Sequence, residues 1–298
     1  MKSLVELDIG YNKLTVIPEE FENLQKLEIL NLEENLLRQV PDHLFIQNLK
    51  ELSIFSNVLE TVPESIGNLQ WLEHLTLGMN QITELPDTIG KLHGLKTLTL
   101  GGNKLRSLPE TIGNLTEVYK INVFQNSIEQ IPDSITKIHN LRELFIGYNL
   151  IEELPEAIGD LTNLTQLQLW RNILKKLPET LCNLEKLENL WIDHNQLEHL
   201  PKNIGNLKSL KLLQAGYNKL KTLPESFIGL KKLEKLNLEQ NSLESLPMNF
   251  TELGNLKELN LRLNDIKLGE SVQQQLQRQG CHILQGKNIF RKSQIKMN

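Results

Sequence analysis

Asp193 and His194 stand side by side, and both residue types serve general acid–base catalysis. No nucleophile is spaced to meet them, and adjacent residues of an extended segment point to opposite faces. Nine carboxylates, Glu19, Asp42, Glu64, Asp87, Glu110, Asp133, Glu156, Glu179 and Glu225, each follow a proline, and such a row could hold cations or exchange protons. Gly101-Gly102-Asn103-Lys104 has glycines and a lysine but lacks the loop spacing that cradles a phosphate. Cys182 and Cys281 are too few and too far apart for a disulfide framework or a zinc site, whose ligands cluster, and a reducing compartment is their simplest home. No H-E-x-x-H, C-x-x-C or G-x-S-x-G occurs. Three N-x-T matches, at Asn114, Asn163 and Asn249, are what a chain rich in Asn-Leu-Thr produces by chance. No catalytic residue, metal ligand or cofactor is expected.

Any element that positions these residues must obey a period. Asn12, Asn35, Asn57, Asn80, Asn103, Asn126, Asn149, Asn172, Asn195, Asn218, Asn241 and Asn264 recur every 23 residues with one 22-residue step. All 11 prolines sit six residues after one of them. Before each Asn runs L-x-x-L-x-L-x-x-N, as in Leu72 to Asn80, and after it x-L-x-x-L-P-x-x-I-G-N-L. Leucines two apart, such as Leu75 and Leu77, put both side chains on one face of a short strand while Thr76 faces away. One such unit cannot bury its apolar face alone, so the units must stack in parallel and share a core.

This pattern resembles the leucine-rich-repeat family over roughly residues 1 to 268, in the 23-residue form similar to that of bacterial multi-repeat proteins and Ras-signalling scaffolds. The resemblance implies an α/β repeat solenoid, a horseshoe with a concave parallel β-sheet and a convex side of short helical or 3-10 segments. It also implies a non-enzymatic scaffold that binds a partner protein on its concave face. The alternative is the substrate-recognition region of a larger enzyme, such as a ubiquitin ligase or a GTPase, whose catalytic domain lies outside this chain.

Residue chemistry fits that frame. The asparagines read as structural, satisfying backbone groups at a tight turn from coil to coil. Leu105, Leu108, Ile112 and Leu115 should line the core from the convex side. Each proline should open a helical turn, with the carboxylate after it capping the positive end, so the carboxylate row reads as structural too. Gly269 stands where an apolar residue is due. Residues 269–298 therefore read as a cap, with a short helix over Ser271 to Gly280 and a last strand at Cys281 to Leu284, followed by a basic tail with Lys287, Arg291, Lys292 and Lys296. At the other end Leu4, Leu7 and Ile9 are already in register. The first coil then has no polar cap, and an upstream segment, a partner or a second copy would cover it.

Positions six, four, two and one before each Asn should face outward on the concave side. Most hold small or polar residues, but Phe124, Phe145, Tyr148, Trp170, Arg171, Trp191, Asp193, His194 and Tyr217 fall there in the middle coils. With strands about 4.8 Å apart the rings should form one continuous strip. An aromatic centre rimmed by charge suits a protein interface; the same rings packed on each other would simply stiffen the sheet. A smaller acidic stretch, Tyr11, Glu33, Glu34, Glu51 and Phe55, could choose a basic partner. The net charge of −5 at 23% charged residues argues against nucleic acid, and no apolar run is long enough for a membrane, so neither is an expected partner. The cytoplasm is the favoured location, unless a signal peptide has been removed upstream.

Overall fold

A computed structural model describes residues 3–45 and 48–286. Thirteen three-residue strands form one parallel sheet in sequence order: β1 (Glu6–Asp8), β2 (Ile29–Asn31), β3 (Glu51–Ser53), β4 (His74–Thr76), β5 (Thr97–Thr99), β6 (Lys120–Asn122), β7 (Glu143–Phe145), β8 (Gln166–Gln168), β9 (Asn189–Trp191), β10 (Leu212–Gln214), β11 (Lys235–Asn237), β12 (Glu258–Asn260) and β13 (His282–Leu284). Equivalent residues face each other from strand to strand, so Leu52, Leu75, Leu98 and Ile121 form one buried row. Coils are numbered here by their asparagines, coil 1 holding Asn12 and coil 12 holding Asn264.

The strands are short because the chain turns sharply after them. In every coil the residue before the asparagine is left-handed, with φ near 55° at Tyr148 and 53° at Arg171 and His194. That conformation costs a non-glycine residue about 1–2 kcal/mol, and the asparagine that follows holds it in place. Asn149 Nδ2 donates to the carbonyls of Val123, Ile146 and Gly147 at 3.0, 3.1 and 3.2 Å, and its Oδ1 accepts from Ile128 N–H at 3.0 Å. Two of those partners lie in its own coil and two in the coil before. The arrangement repeats along the chain, as at Asn80 and Asn195.

On the opposite side most coils return through a five-residue 3-10 segment such as Glu110–Asn114. Leu105, Leu108, Ile112 and Leu115 are buried, as the period requires. Pro109 caps this segment with extended geometry (φ −67°, ψ 149°), and its carbonyl accepts the N–H of Ile112 at 3.0 Å. The acidic residues differ from expectation. No side chain makes a capping hydrogen bond in any of these segments, because proline occupies the cap and has nothing to reach with. The carboxylates act through the helix field alone or reach sideways, as Glu179 does in accepting Lys202 N–H at 2.8 Å. Where lysine or methionine replaces the acid, at Lys202 and Met248, the segment is shorter and starts later, at Ile204–Asn206 and Phe250–Glu252.

The C-terminal end is covered by α1 (Glu270–Arg278), which places Leu276 in the core, and by β13, which extends the sheet from β12. Gln279 Nε2 ties this unit to the Thr251 carbonyl at 2.9 Å. The basic tail with Lys287, Arg291, Lys292 and Lys296 lies outside the described residues. At the opposite end Leu4, Leu7, Phe21 and Leu24 line an open apolar hollow of about 410 Å³.

Candidate partner-binding face

The sheet face is built by four columns of side chains, one from each outward register position. In the column two before the asparagine, coils 6, 7 and 8 carry Phe124, Gly147 and Trp170. The two rings lean toward each other over the glycine and meet at 5.3 Å between centroids, tilted by 33°. Gly147 permits this closure: a Cβ there would lie 2.9 Å from Trp170 Nε1 and 3.0 Å from Cδ1. Tyr148, turned outward by its left-handed backbone, closes the group at 6.0 Å from Phe124 and 6.3 Å from Trp170. The Arg171 guanidinium covers both Tyr148 and Trp170 at 5.4 and 5.7 Å. Phe124 and Trp170 are half-buried and Tyr148 is 44% exposed, so the triad keeps a face toward solvent.

The expected continuous strip is divided. Phe145 and Trp191 share the column four before the asparagine, but Gln168 stands between them on β8. Neither ring pairs with another aromatic ring among the described residues; Phe145 instead lies under the Lys120 ammonium at 5.2 Å. Trp170 and Trp191 belong to different columns, which explains why neighbouring coils do not bring them together. His194 and Tyr217 make a second, separate pair, stacked at 4.2 Å and 13°.

Asp193 and His194 are not on a strand. They occupy the turn after β9, where the left-handed backbone at His194 brings its Nε2 to 4.0 Å from Asp193 Oδ2 rather than to the opposite face. Burial raises the Asp193 carboxyl above the usual aspartate range, against opposing hydrogen bonding and the nearby His194 and Arg171. Among the described residues no hydroxyl or thiol is hydrogen-bonded to either side chain. Burial also pushes the thiols of Cys182 and Cys281 up to about 11, which leaves both protonated near neutrality. Among the described residues no group of three or more His, Cys, Asp or Glu side chains is arranged to hold a metal ion, and no helix is long and apolar enough to cross a membrane.

Residues outside the four columns add to the site. Beyond the turn, Leu150 and Ile173 join Tyr148, Arg171 and His194 around an open groove of about 550 Å³. Leu150 is 46% exposed, an apolar surface continuous with the triad through Tyr148. Leu150 lies outside the four outward columns, because the residue after each asparagine follows the turn and the strand period does not extend to it. At the N-terminal coils Glu6, Asp8, Glu33 and Glu51 surround a polar depression of about 260 Å³, where Glu33 accepts a hydrogen bond from Ser53 at 2.6 Å.

A leucine-rich-repeat model matches residues 1–37, 25–82, 139–197 and 185–243, and a second model, of a leucine-rich-repeat region, matches 65–148. The chain belongs to the leucine-rich-repeat family. Among solved structures, a leucine-rich-repeat protein of Leptospira interrogans is 31% identical, with a TM-score of 0.69 over 95% of this chain and 84% of that one. The plant peptide hormone receptor RGFR1, in complex with RGF2, is 32% identical with a TM-score of 0.86 over 97% of this chain and 48% of the receptor, so this chain spans about half the receptor chain's length. An internalin from Listeria monocytogenes, at 24% identity and a TM-score of 0.84 over 100% of this chain and 86% of that one, shares the fold. Comparison with curated proteins gave no match. Of these neighbours the receptor is solved with a peptide hormone, and what this chain shares with all three is the repeat solenoid.

Proposed function

We propose that this leucine-rich-repeat chain is a non-enzymatic scaffold that binds a partner protein on the concave face at coils 6 to 10. The observation that carries this reading is the triad of Phe124, Tyr148 and Trp170 under Arg171, open to solvent and continuous with the groove at Leu150. Aromatic and arginine side chains of this kind dominate interface energetics, and an exposed apolar patch rimmed by charge marks an interaction surface. Trp191, Asp193, His194 and Tyr217 extend the surface along the next coils, and Phe145 lies beside it. Ring packing alone would stiffen the sheet but would not account for the exposed face of Tyr148 or for the apolar groove beyond it.

The test is capture from source-cell lysate by the wild-type chain and by a Tyr148→Ala/Trp170→Ala variant, with circular dichroism and melting matched first. The captured protein is identified, purified and titrated against both. A partner that binds the variant more than about tenfold more weakly supports the reading, since truncating a hot-spot residue costs 2 kcal/mol or more. Equal affinity places the interface elsewhere. Self-association through the apolar hollow at Leu4, Leu7 and Phe21 is a separate reading, and sedimentation of wild type against Leu4→Asp decides it.

A further inference from the structure

The column seven before each asparagine lies at the entry edge of the sheet and alternates in charge. Glu28, Lys50, Glu73 and Lys96 occupy it in coils 2 to 5, and Glu188, Lys211, Glu234 and Lys257 in coils 9 to 12. Neighbours in this ladder form ion pairs, Lys50 with Glu28 at 2.8 Å, Lys96 with Glu73, Lys211 with Glu188 at 2.8 Å and Lys257 with Glu234 at 2.7 Å. The fields reach across pairs as well: Glu73 helps raise the Lys50 ammonium after its Glu28 partner, and Lys211 helps hold Glu234 down after Lys257.

The ladder fails in coils 6, 7 and 8, where the column reads Tyr119, Arg142 and Thr165. Arg142 has no carboxylate above or below it. Among the described residues its guanidinium makes no ion pair and no side-chain hydrogen bond, and the nearby Glu143 is already taken by Lys120 at 3.0 Å. Tyr119 beside it is 37% exposed. These are the same three coils that carry Phe124, Tyr148 and Trp170. An unpaired cation at one edge and an open aromatic triad at the other therefore lie on one line along the strand direction, with Phe145 between them. Five residues of extended chain, roughly 16 Å, separate the two register positions.

We infer that coils 6 to 8 take an extended segment of the partner protein laid across the sheet, with an aspartate or glutamate on Arg142 and a large apolar side chain on the triad about five residues away. This rests on the concave-face reading above and specifies the chemistry of what binds there. Charge complementarity selects the acid: it completes a ladder that coils 2 to 5 and 9 to 12 close internally. A carboxylate also suits the flat fork of a guanidinium, which can hold it by two hydrogen bonds.

Random dodecapeptides displayed on phage, selected in parallel on the wild-type chain, on Arg142→Glu and on Tyr148→Ala/Trp170→Ala, test this. Because Arg142 is exposed and its guanidinium makes no ion pair or side-chain hydrogen bond among the described residues, its replacement should leave circular dichroism and melting unchanged. Wild-type selection should enrich peptides with an acid about five positions from a large apolar residue. Arg142→Glu should bind those peptides about tenfold more weakly by fluorescence anisotropy, and its own selection should replace the acid with lysine or arginine. The Tyr148/Trp170 variant should bind neither set. Peptides that depend on Tyr148 and Trp170 but bind Arg142→Glu unchanged overturn the acidic segment and leave the aromatic interface standing. Peptides indifferent to all the substitutions overturn both, and no enrichment on the wild type overturns the extended segment.

Discussion

Asn149 shows how one side chain can hold two coils. Replacing it with alanine strands the Ile128 N–H and frees the carbonyls of Val123 and Ile146 in a buried setting. Asn149→Ala should therefore lower stability by at least about 2 kcal/mol, read as an earlier urea midpoint. Asn12→Ala should cost less, since the exposed Asn12 amide reaches only Ile9 and Gly10 of its own coil. Asp193 carries a pH dependence of opposite sign to most native carboxylates. Folding raises its proton affinity, so its contribution is fully present below the ordinary aspartate range and is lost as pH rises through the raised native value. Asp193→Asn should be more stable than wild type near neutrality, with the difference shrinking as paired melts descend through the carboxylate range. The asparagines were legible as structural in the sequence because one recurs at the same place in every coil. The left-handed residue before each was not, since tyrosine, glutamate, serine, methionine, arginine and histidine all fill that position and none announces a positive φ.

At the scale of the element, the 3-10 segments pack through an exchange between small and hydroxyl residues that single-repeat reasoning does not reveal. Gly67, Gly90, Gly113, Gly159 and Gly205 each press against the backbone carbonyl of a threonine or serine in the following coil, and a Cβ on any of them would overlap it. Thr136 and Cys182 occupy the same register with side chains, and the coils after them carry Ala157 and Asn203 instead of a hydroxyl residue. Gly159→Ala should cost about 1–3 kcal/mol through overpacking against Thr180. Gly254→Ala, with nothing within 4 Å, should be neutral or slightly stabilising in the same denaturant series. The consensus glycine was visible in the sequence, but its cause was not, because it lies in the neighbouring coil. The aromatic face followed the same logic. Outward positions were readable from the period, whereas the pairing of Phe124 with Trp170 across an intervening Gly147 depends on which column each ring occupies. Alternation along the column seven before the asparagine is present in the sequence and points to Arg142, but only the pairing of neighbouring coils shows that the alternating charges meet.

For the whole molecule, neighbour-only contacts make stability local. Each strand pairs with the next in sequence and nothing ties β1 to β13, so a weakened end should loosen without melting the middle. Leu276→Ala, which removes the α1 side chain buried in the last coil, should speed amide exchange in β12 and β13 while leaving β1 to β6 at the wild-type rate by mass spectrometry. The asparagine bonds add a direction to this arrangement. Asn35 reaches back to Ile9 and Leu14, Asn149 to Val123 and Ile128, Asn264 to Leu238 and Leu243. In each case the cross-coil partners were made before the asparagine. On the ribosome, a newly emerged coil thus finds the groups it must bond already outside the exit tunnel, and the order of translation is also the order in which the solenoid can close.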